Sequence, residues 1–226
     1  MPVLFLAGDS TCATNGADTW PQTGWGQRLT EFVQAPWRVE NRAVNGRSTK
    51  SFLDEGRFGA ILSELRPGDF VMIQFGHNDQ KSEDPVRFAA AEGPYRDNLR
   101  LMVRLARERG GIPVVLSSVA RRRFGADGVL VATHGEYPAA ARMTAAETGV
   151  PFIDMEARTD AWLRSLGDAP SRRFFMHLEP GEFPAYPDGL ADDTHFRIEG
   201  ADEVARMVAG EGRALGLAPF GFAPSG

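Results

Sequence analysis

Cysteine and lysine are almost missing from this 226-residue sequence, which holds only Cys12, Lys50 and Lys81. A single thiol excludes an intramolecular disulfide and any zinc site built from cysteines. With so little lysine, arginine carries the positive charge, and 25 basic residues against 30 acidic ones leave a net charge of −5. That balance argues against broad binding to nucleic acid or anionic membrane. No apolar run approaches the roughly 20 residues of a bilayer span. The first apolar stretch, Pro2–Ala7, is too short for the core of a secretion signal and has no basic segment before it. The expectation is a soluble cytoplasmic protein with neither membrane nor nucleic acid as partner; its oligomeric state is not legible. Arg121-Arg122-Arg123 is a short basic run that reads as a solvated loop.

Strand-like and helix-like segments alternate along the whole chain. Val3–Ala7, Phe70–Phe75 and Pro113–Val119 are continuous apolar runs, typical of strands buried on both faces. Trp37–Ala43 and Val150–Met155 are two further strand candidates. Helices are predicted over Trp25–Val33, Phe58–Leu65 and Pro138–Thr148, and around the spacings Tyr95, Leu99, Met102, Ala106 and Ala201, Val204, Ala205, Val208. This alternation implies one α/β domain over residues 1–226, with a mostly parallel five-stranded sheet between helices. Ligands of such sheets bind at the carboxyl ends of the strands. Residues 168–192 have no clear periodicity but carry Phe174, Phe175, His177, Phe183 and Tyr186. They read as a long irregular loop forming part of a substrate wall.

Four polar clusters are expected just after strands. Gly8-Asp9-Ser10-Thr11 offers a hydroxyl and a backbone N–H on a sharp turn. Asn45-Gly46-Arg47-Ser48 contains a glycine that lets the backbone approach a ligand. Gly76-His77-Asn78-Asp79 supplies a side-chain amide, a neutral donor suited to a developing oxyanion. Asp192-Asp193-Thr194-His195 supplies a base and a carboxylate to orient it. Each is an ordinary turn or cap when taken alone. Together they contain what a hydroxyl nucleophile requires: a base, an acid and oxyanion donors. Cys12 lies two residues from Ser10 but reads as a small buried thiol.

Gly8-Asp9-Ser10, Gly46, Gly76-His77-Asn78-Asp79 and Asp192-x-x-His195 resemble, in order, the blocks of the SGNH (GDSL-type) hydrolases. Thr11 stands where the commoner form has leucine. With Asn45–Ser48, Thr133-His134-Gly135-Glu136-Tyr137 and Asp192–Phe196, the sequence is most similar to the rhamnogalacturonan acetylesterase branch. The resemblance implies a flavodoxin-like three-layer α/β/α sandwich with five parallel strands. It implies Ser10 as nucleophile, His195 as general base and Asp192, rather than Asp193, as the orienting acid. Ser10, Gly46 and Asn78 would form the oxyanion hole. Asp9, Arg47, His77 and His134 are candidates for contacting substrate or supporting the site, with His134 either lining the cleft or standing as a surface or helix-capping histidine. The role of His177 stays open.

The implied reaction is removal of O-acetyl groups from pectin-type oligosaccharides through an acyl-enzyme, with no metal and no cofactor. Acetylated xylan oligomers, other sugar acetates and small acyl esters are the alternative substrates. A metal-dependent phosphoesterase is a rival class, but its Gly-Asn-His-Asp block would be scrambled here to Gly-His-Asn-Asp. A non-catalytic carbohydrate-binding protein is the third reading. It would be expected to have lost a member of the triad.

Overall fold

The computed structural model describes residues 1–221. Its central sheet contains β1 (Val3–Gly8), β2 (Arg38–Asn41), β3 (Phe70–Gln74), β4 (Ile112–Leu116) and β5 (Phe152–Ile153). All neighbours are parallel and the order is β2-β1-β3-β4-β5. Successive strand residues point to opposite faces, so the apolar runs split into two cores. Leu4, Leu6, Met72, Val114 and Leu116 face one side, and Phe5, Ala7, Val71, Ile73 and Val115 the other.

Helices α1 (Trp25–Arg28), α2 (Thr49–Asp54), α3 (Arg57–Glu64), α4 (Arg96–Glu108), α5 (Tyr137–Thr148), α6 (Met155–Leu166), α7 (Asp168–Ser171) and α8 (Ile198–Ala214) surround the sheet. Trp25, Leu163 and the Ala201-Val204-Ala205-Val208 stripe cover the first core. Phe52, Ile61, Leu99, Met102 and Ala141, from α2 to α5, cover the second. The result is a three-layer α/β/α sandwich, as the apolar runs predict. No described helix is long and apolar enough to cross a membrane.

Residues 168–192 depart from expectation. They are not an irregular loop throughout but include α7, β6 (Phe175–Leu178) and the start of β7 (Leu190–Phe196), an antiparallel pair separate from the main sheet. Phe174 and Phe175 belong to the core rather than to a substrate wall. The cluster Asp192–His195 therefore lies within β7 of this ribbon and does not follow a strand of the central sheet. Phe175 pairs with Phe196, yet the adjacent Met176 pairs with Asp192, so residues 193–195 form an excursion on β7. Excursions of this kind re-aim side chains.

The ribbon is stitched to the body by backbone bonds from Arg122 to Asp193 (2.8 Å) and Thr23 to Phe196 (2.9 Å), and its own ends are joined by Arg197 to Phe174 (3.0 Å). Close packing completes the attachment. A Cβ on Gly200 of α8 would lie 2.1 Å from the Phe174 carbonyl oxygen.

Candidate active site

In a sheet of order 2-1-3-4-5 the switch point lies between β1 and β3. The Ser10 turn leaves the end of β1, and His77-Asn78 follow the end of β3. Asp9 builds the first turn: its Oδ1 accepts from the Thr11 amide (3.0 Å) and the Thr11 hydroxyl (2.8 Å). Its backbone oxygen accepts from the Cys12 and Ala13 amides. Ser10 is held at the mouth of this turn with 8% of its surface exposed.

The two ends of the chain meet here. The Ser10 hydroxyl lies 2.8 Å from His195 Nε2, and His195 Nδ1 donates to Asp192 Oδ2 at 2.6 Å. Asp192 Oδ1 accepts from the amides of Thr194 (2.7 Å) and His195 (3.1 Å). Burial pushes the Asp192 carboxyl up, but the His195 contact and these two amides outweigh it and hold it below the ordinary carboxylate value. An ionised Asp192 fixes the Nδ1–H tautomer and leaves Nε2 bare toward Ser10.

Gly46 has φ +76°, a conformation glycine adopts without strain, and a Cβ there would meet only Arg87 Nη1, at 4.0 Å. The backbone N–H groups of Ser10 and Gly46 have no acceptor among the described residues. Asn78 is buried and its Nδ2 donates to the Arg47 carbonyl (3.1 Å), which ties it to the Gly46 turn. Its other Nδ2 hydrogen has no acceptor among the described residues. Two free backbone N–H groups and one side-chain amide thus stand in the turns after β1, β2 and β3, the same end of the sheet as a hydroxyl paired with an imidazole. Groups of these kinds can carry acyl transfer.

The supporting candidates separate. Asp9 and His77 are buried behind Ser10, where His77 Nδ1 donates to Asp9 Oδ2 at 3.0 Å. Burial pushes the His77 imidazole down to about 4, so it is neutral beside an Asp9 carboxylate. Burial raises Asp9, but His77 and Thr11 together hold it below its ordinary value. His134 does not line the cleft as expected. It is 1% exposed, packs edge-on against His77 at 4.6 Å, and lies 2.9 Å from Glu156. Arg47 stays near the surface, donating to Glu55 (3.0 Å) and the Asn45 carbonyl (2.9 Å).

The expectation of a solvated Arg121–Arg123 loop also fails, because Arg122 is 5% exposed. Its guanidinium binds Asp193, Ser171 and Asp168, and Asp193 in turn accepts from His177 Nε2 at 2.7 Å. His177 and Asp193 thus belong to the clamp on the ribbon, beside but apart from Asp192 and His195. Cys12 is a buried thiol. Among the described residues, no group of three His, Cys, Asp or Glu side chains is placed to hold a metal ion.

Asp79 was not anticipated. It is fully buried, with Oδ1 accepting from the Thr49 amide (2.9 Å) and hydroxyl, and Oδ2 unpartnered. Burial pushes its carboxyl up to about 7 against the pull of Thr49. The folded state then keeps a proton that the unfolded chain releases at about pH 4. Stability is lost as pH rises from there toward 7, and the loss levels off above. Asp79→Asn keeps an acceptor for Thr49 and cannot ionise. It is expected to gain on the wild type by on the order of 1 kcal/mol per pH unit across that window. Urea unfolding of both proteins at a series of pH values checks this; a difference independent of pH would refute it.

The model of the GDSL-like Lipase/Acylhydrolase family matches residues 6–203. The chain belongs to that family. This GDSL-family protein is accordingly a carboxylic ester hydrolase. It is 42% identical to the rhamnogalacturonan acetylesterase RhgT of Bacillus subtilis, over 95% of this chain and 90% of that one. A rhamnogalacturonan acetylesterase of Emericella nidulans is 30% identical, over 89% and 81% of the respective chains. Among solved structures, Bacillus subtilis YxiM superposes with a TM-score of 0.83 at 25% identity, covering 97% of this chain and 58% of that one. An acetylxylan esterase of Geobacillus stearothermophilus gives 0.65 at 17% identity, covering 93% of each chain. That second likeness is one of fold. The linked side chains of this hydrolase come from two separate places: Ser10 from the β1 turn, His195 and Asp192 from the ribbon.

Proposed function

We propose that residues 1–226 form one catalytic domain that removes O-acetyl groups from pectin-type, rhamnogalacturonan-like oligosaccharides. Ser10 is the nucleophile, His195 the general base and Asp192 the acid that orients it. The observation carrying this reading is the unbroken line from Ser10 Oγ through His195 to Asp192, at 2.8 and 2.6 Å.

Ser10 Oγ attacks the ester carbonyl carbon while His195 Nε2 takes the hydroxyl proton. The carbonyl oxygen becomes an oxyanion, met by the N–H groups of Ser10 and Gly46 and by Asn78 Nδ2. As that intermediate collapses, the imidazolium gives its proton to the departing sugar oxygen, leaving acetyl-Ser10. Water then repeats the sequence: His195 takes its proton, the serine oxygen leaves with that proton, and acetate is released. Asp192 stays ionised throughout and stabilises the imidazolium.

Removing one oxyanion donor typically lowers kcat by about 10²–10³. Asn78→Ala is expected to fall in that range with KM nearly unchanged; full turnover would remove Asn78 from the mechanism. The substrate is tested by comparing acetate release from acetylated rhamnogalacturonan and acetylated xylan oligosaccharides, with p-nitrophenyl acetate as reference. Preference for the first supports the pectin-type reading. Equal or reversed preference assigns the site to another sugar acetate.

A further inference from the structure

The loop 79–89 leaves the turn after β3 and comes back to it, closed where the Ala89 amide donates to the Asp79 carbonyl (3.0 Å). Asp84 builds a tighter turn inside it. Its carbonyl accepts from the amides of Arg87 (3.1 Å) and Phe88 (2.8 Å), and its Oδ1 from the Val86 amide (3.0 Å). Its Oδ2 accepts from Arg87 Nε at 2.5 Å, which turns the guanidinium back toward the start of the loop. There Arg87 Nη1 donates to Asn78 Oδ1 at 3.4 Å, the one hydrogen bond that oxygen accepts among the described residues. The same Nη1 lies 4.0 Å from where a Cβ on Gly46 would stand. A single nitrogen of Arg87 is therefore neighbour to both Gly46 and Asn78.

The amide of an asparagine can sit in two orientations of nearly equal shape, with oxygen and nitrogen exchanged. Two contacts choose between them at Asn78. Nδ2 donates to the Arg47 carbonyl (3.1 Å), and Oδ1 accepts from Arg87. Turned over, the amide would set oxygen against oxygen at Arg47 and N–H against N–H at Arg87. Asn78 is buried, so water does not repair those mismatches. The Arg87 contact is long, but its donor is a cation, and a cation on the carbonyl oxygen also strengthens the Nδ2 hydrogens as donors. Because Asp84 matches the charge of Arg87 in contact, the guanidinium contributes direction more than net charge.

We propose that Arg87 is a positioning residue for acyl transfer: by holding Oδ1, it keeps the Asn78 amide turned so that Nδ2, and not the oxygen, meets the developing oxyanion. This rests on the oxyanion role proposed for Asn78 and adds the group that sets its orientation. Arg87 acts through Asn78. Without it, the orientation of the amide would depend on the Arg47 carbonyl alone, and part of the molecules would present a lone pair to the developing charge. Asp84 stands one step further back and fixes Arg87.

Acetate release from p-nitrophenyl acetate is the readout, since a small ester isolates the acyl step from contacts to a sugar. Arg87→Ala is expected to lower kcat by about tenfold with KM nearly unchanged. Arg87→Lys keeps a cation for Asp84, and with it the loop, but lacks the planar fork that spans Asp84 and Asn78. It is expected to keep the wild-type Tm and to lose most of the same factor in kcat. Should Arg87→Ala fail to fold, Arg87→Lys carries the test alone. The deciding measurement repeats both substitutions beside Asn78→Ala. With no amide left to orient, neither is expected to lower kcat further.

An undiminished kcat in both Arg87 variants overturns the proposal. So does the same loss with and without Asn78, which marks Arg87 as a support of the loop or as a contact of its own to the ester. A loss that appears in KM with kcat intact also overturns it. Full turnover by Asn78→Ala overturns the oxyanion reading of Asn78 and the role of Arg87 together. No acetate release by the wild type overturns the esterase reading itself.

Discussion

Ser10→Ala is expected to lower kcat by about 10⁶, because removing the nucleophile of a Ser-His-Asp unit disables the other two members as well. The substitution should leave the fold intact. Ser10 Oγ makes one side-chain bond, to His195, and the turn around it is held by Asp9, Thr11 and backbone groups. Two measurements check the assignment together. Acetate release should drop to the level left by oxyanion and binding contacts, and covalent labelling by a serine-directed phosphonate should vanish. Labelling that survives in the alanine protein would move the nucleophile elsewhere.

The second large effect separates two adjacent aspartates. Asp192→Asn is expected to reduce kcat by about 10⁴, since an amide in place of Oδ2 no longer selects the Nδ1–H tautomer of His195. Asp193→Asn is expected to behave differently. Asp193 binds Arg122 and His177, so its loss loosens the ribbon, lowering Tm by about 2–4 °C and kcat by less than about tenfold. Steady-state kinetics and thermal unfolding of the two variants check this. Equal losses of kcat would mean that the ribbon's attachment, not the His195 tautomer, limits the rate.

The central sheet was legible because its strands are covered on both faces, which leaves unbroken apolar runs such as Phe70–Phe75. The residues that meet at Ser10 were legible because the chemistry admits few residue types, although Asp192 and His195 lie within β7 rather than in a turn. The ribbon was not, because β6 and β7 interleave core side chains such as Phe175, Met176 and Phe196 with His177, Asp192 and Asp193. No period survives there, and what orders it comes from Arg122 and Thr23, far away in sequence, and from packing against α8.

Arg122 illustrates the limit most sharply. Nothing local distinguishes a buried arginine from a solvated one, and its carboxylate partners lie 46 and 71 residues further on. His134 was misplaced for the same reason, since its burial depends on His77 and Glu156. Helix α6 does carry a local signal in its sequence. Asp154 caps it by accepting from the Ala157 amide, and Met155, Thr159 and Leu163 follow on one buried face.

The excursion at residues 193–195 has a consequence for how this enzyme could fail. The proposed base and acid sit three residues apart on one short bend, while Ser10, Gly46 and Asn78 lie in turns after β1, β2 and β3. Within the site one side-chain hydrogen bond joins them, Ser10 to His195, while Arg122 and Thr23 hold the bend to the body. Lifting the ribbon would therefore leave the imidazole and its carboxylate paired with each other and withdraw them as a unit. The proposed oxyanion donors would stay behind, next to an alcohol with no base to take its proton. Loss of turnover without loss of affinity for an oxyanion mimic is the signature of that state.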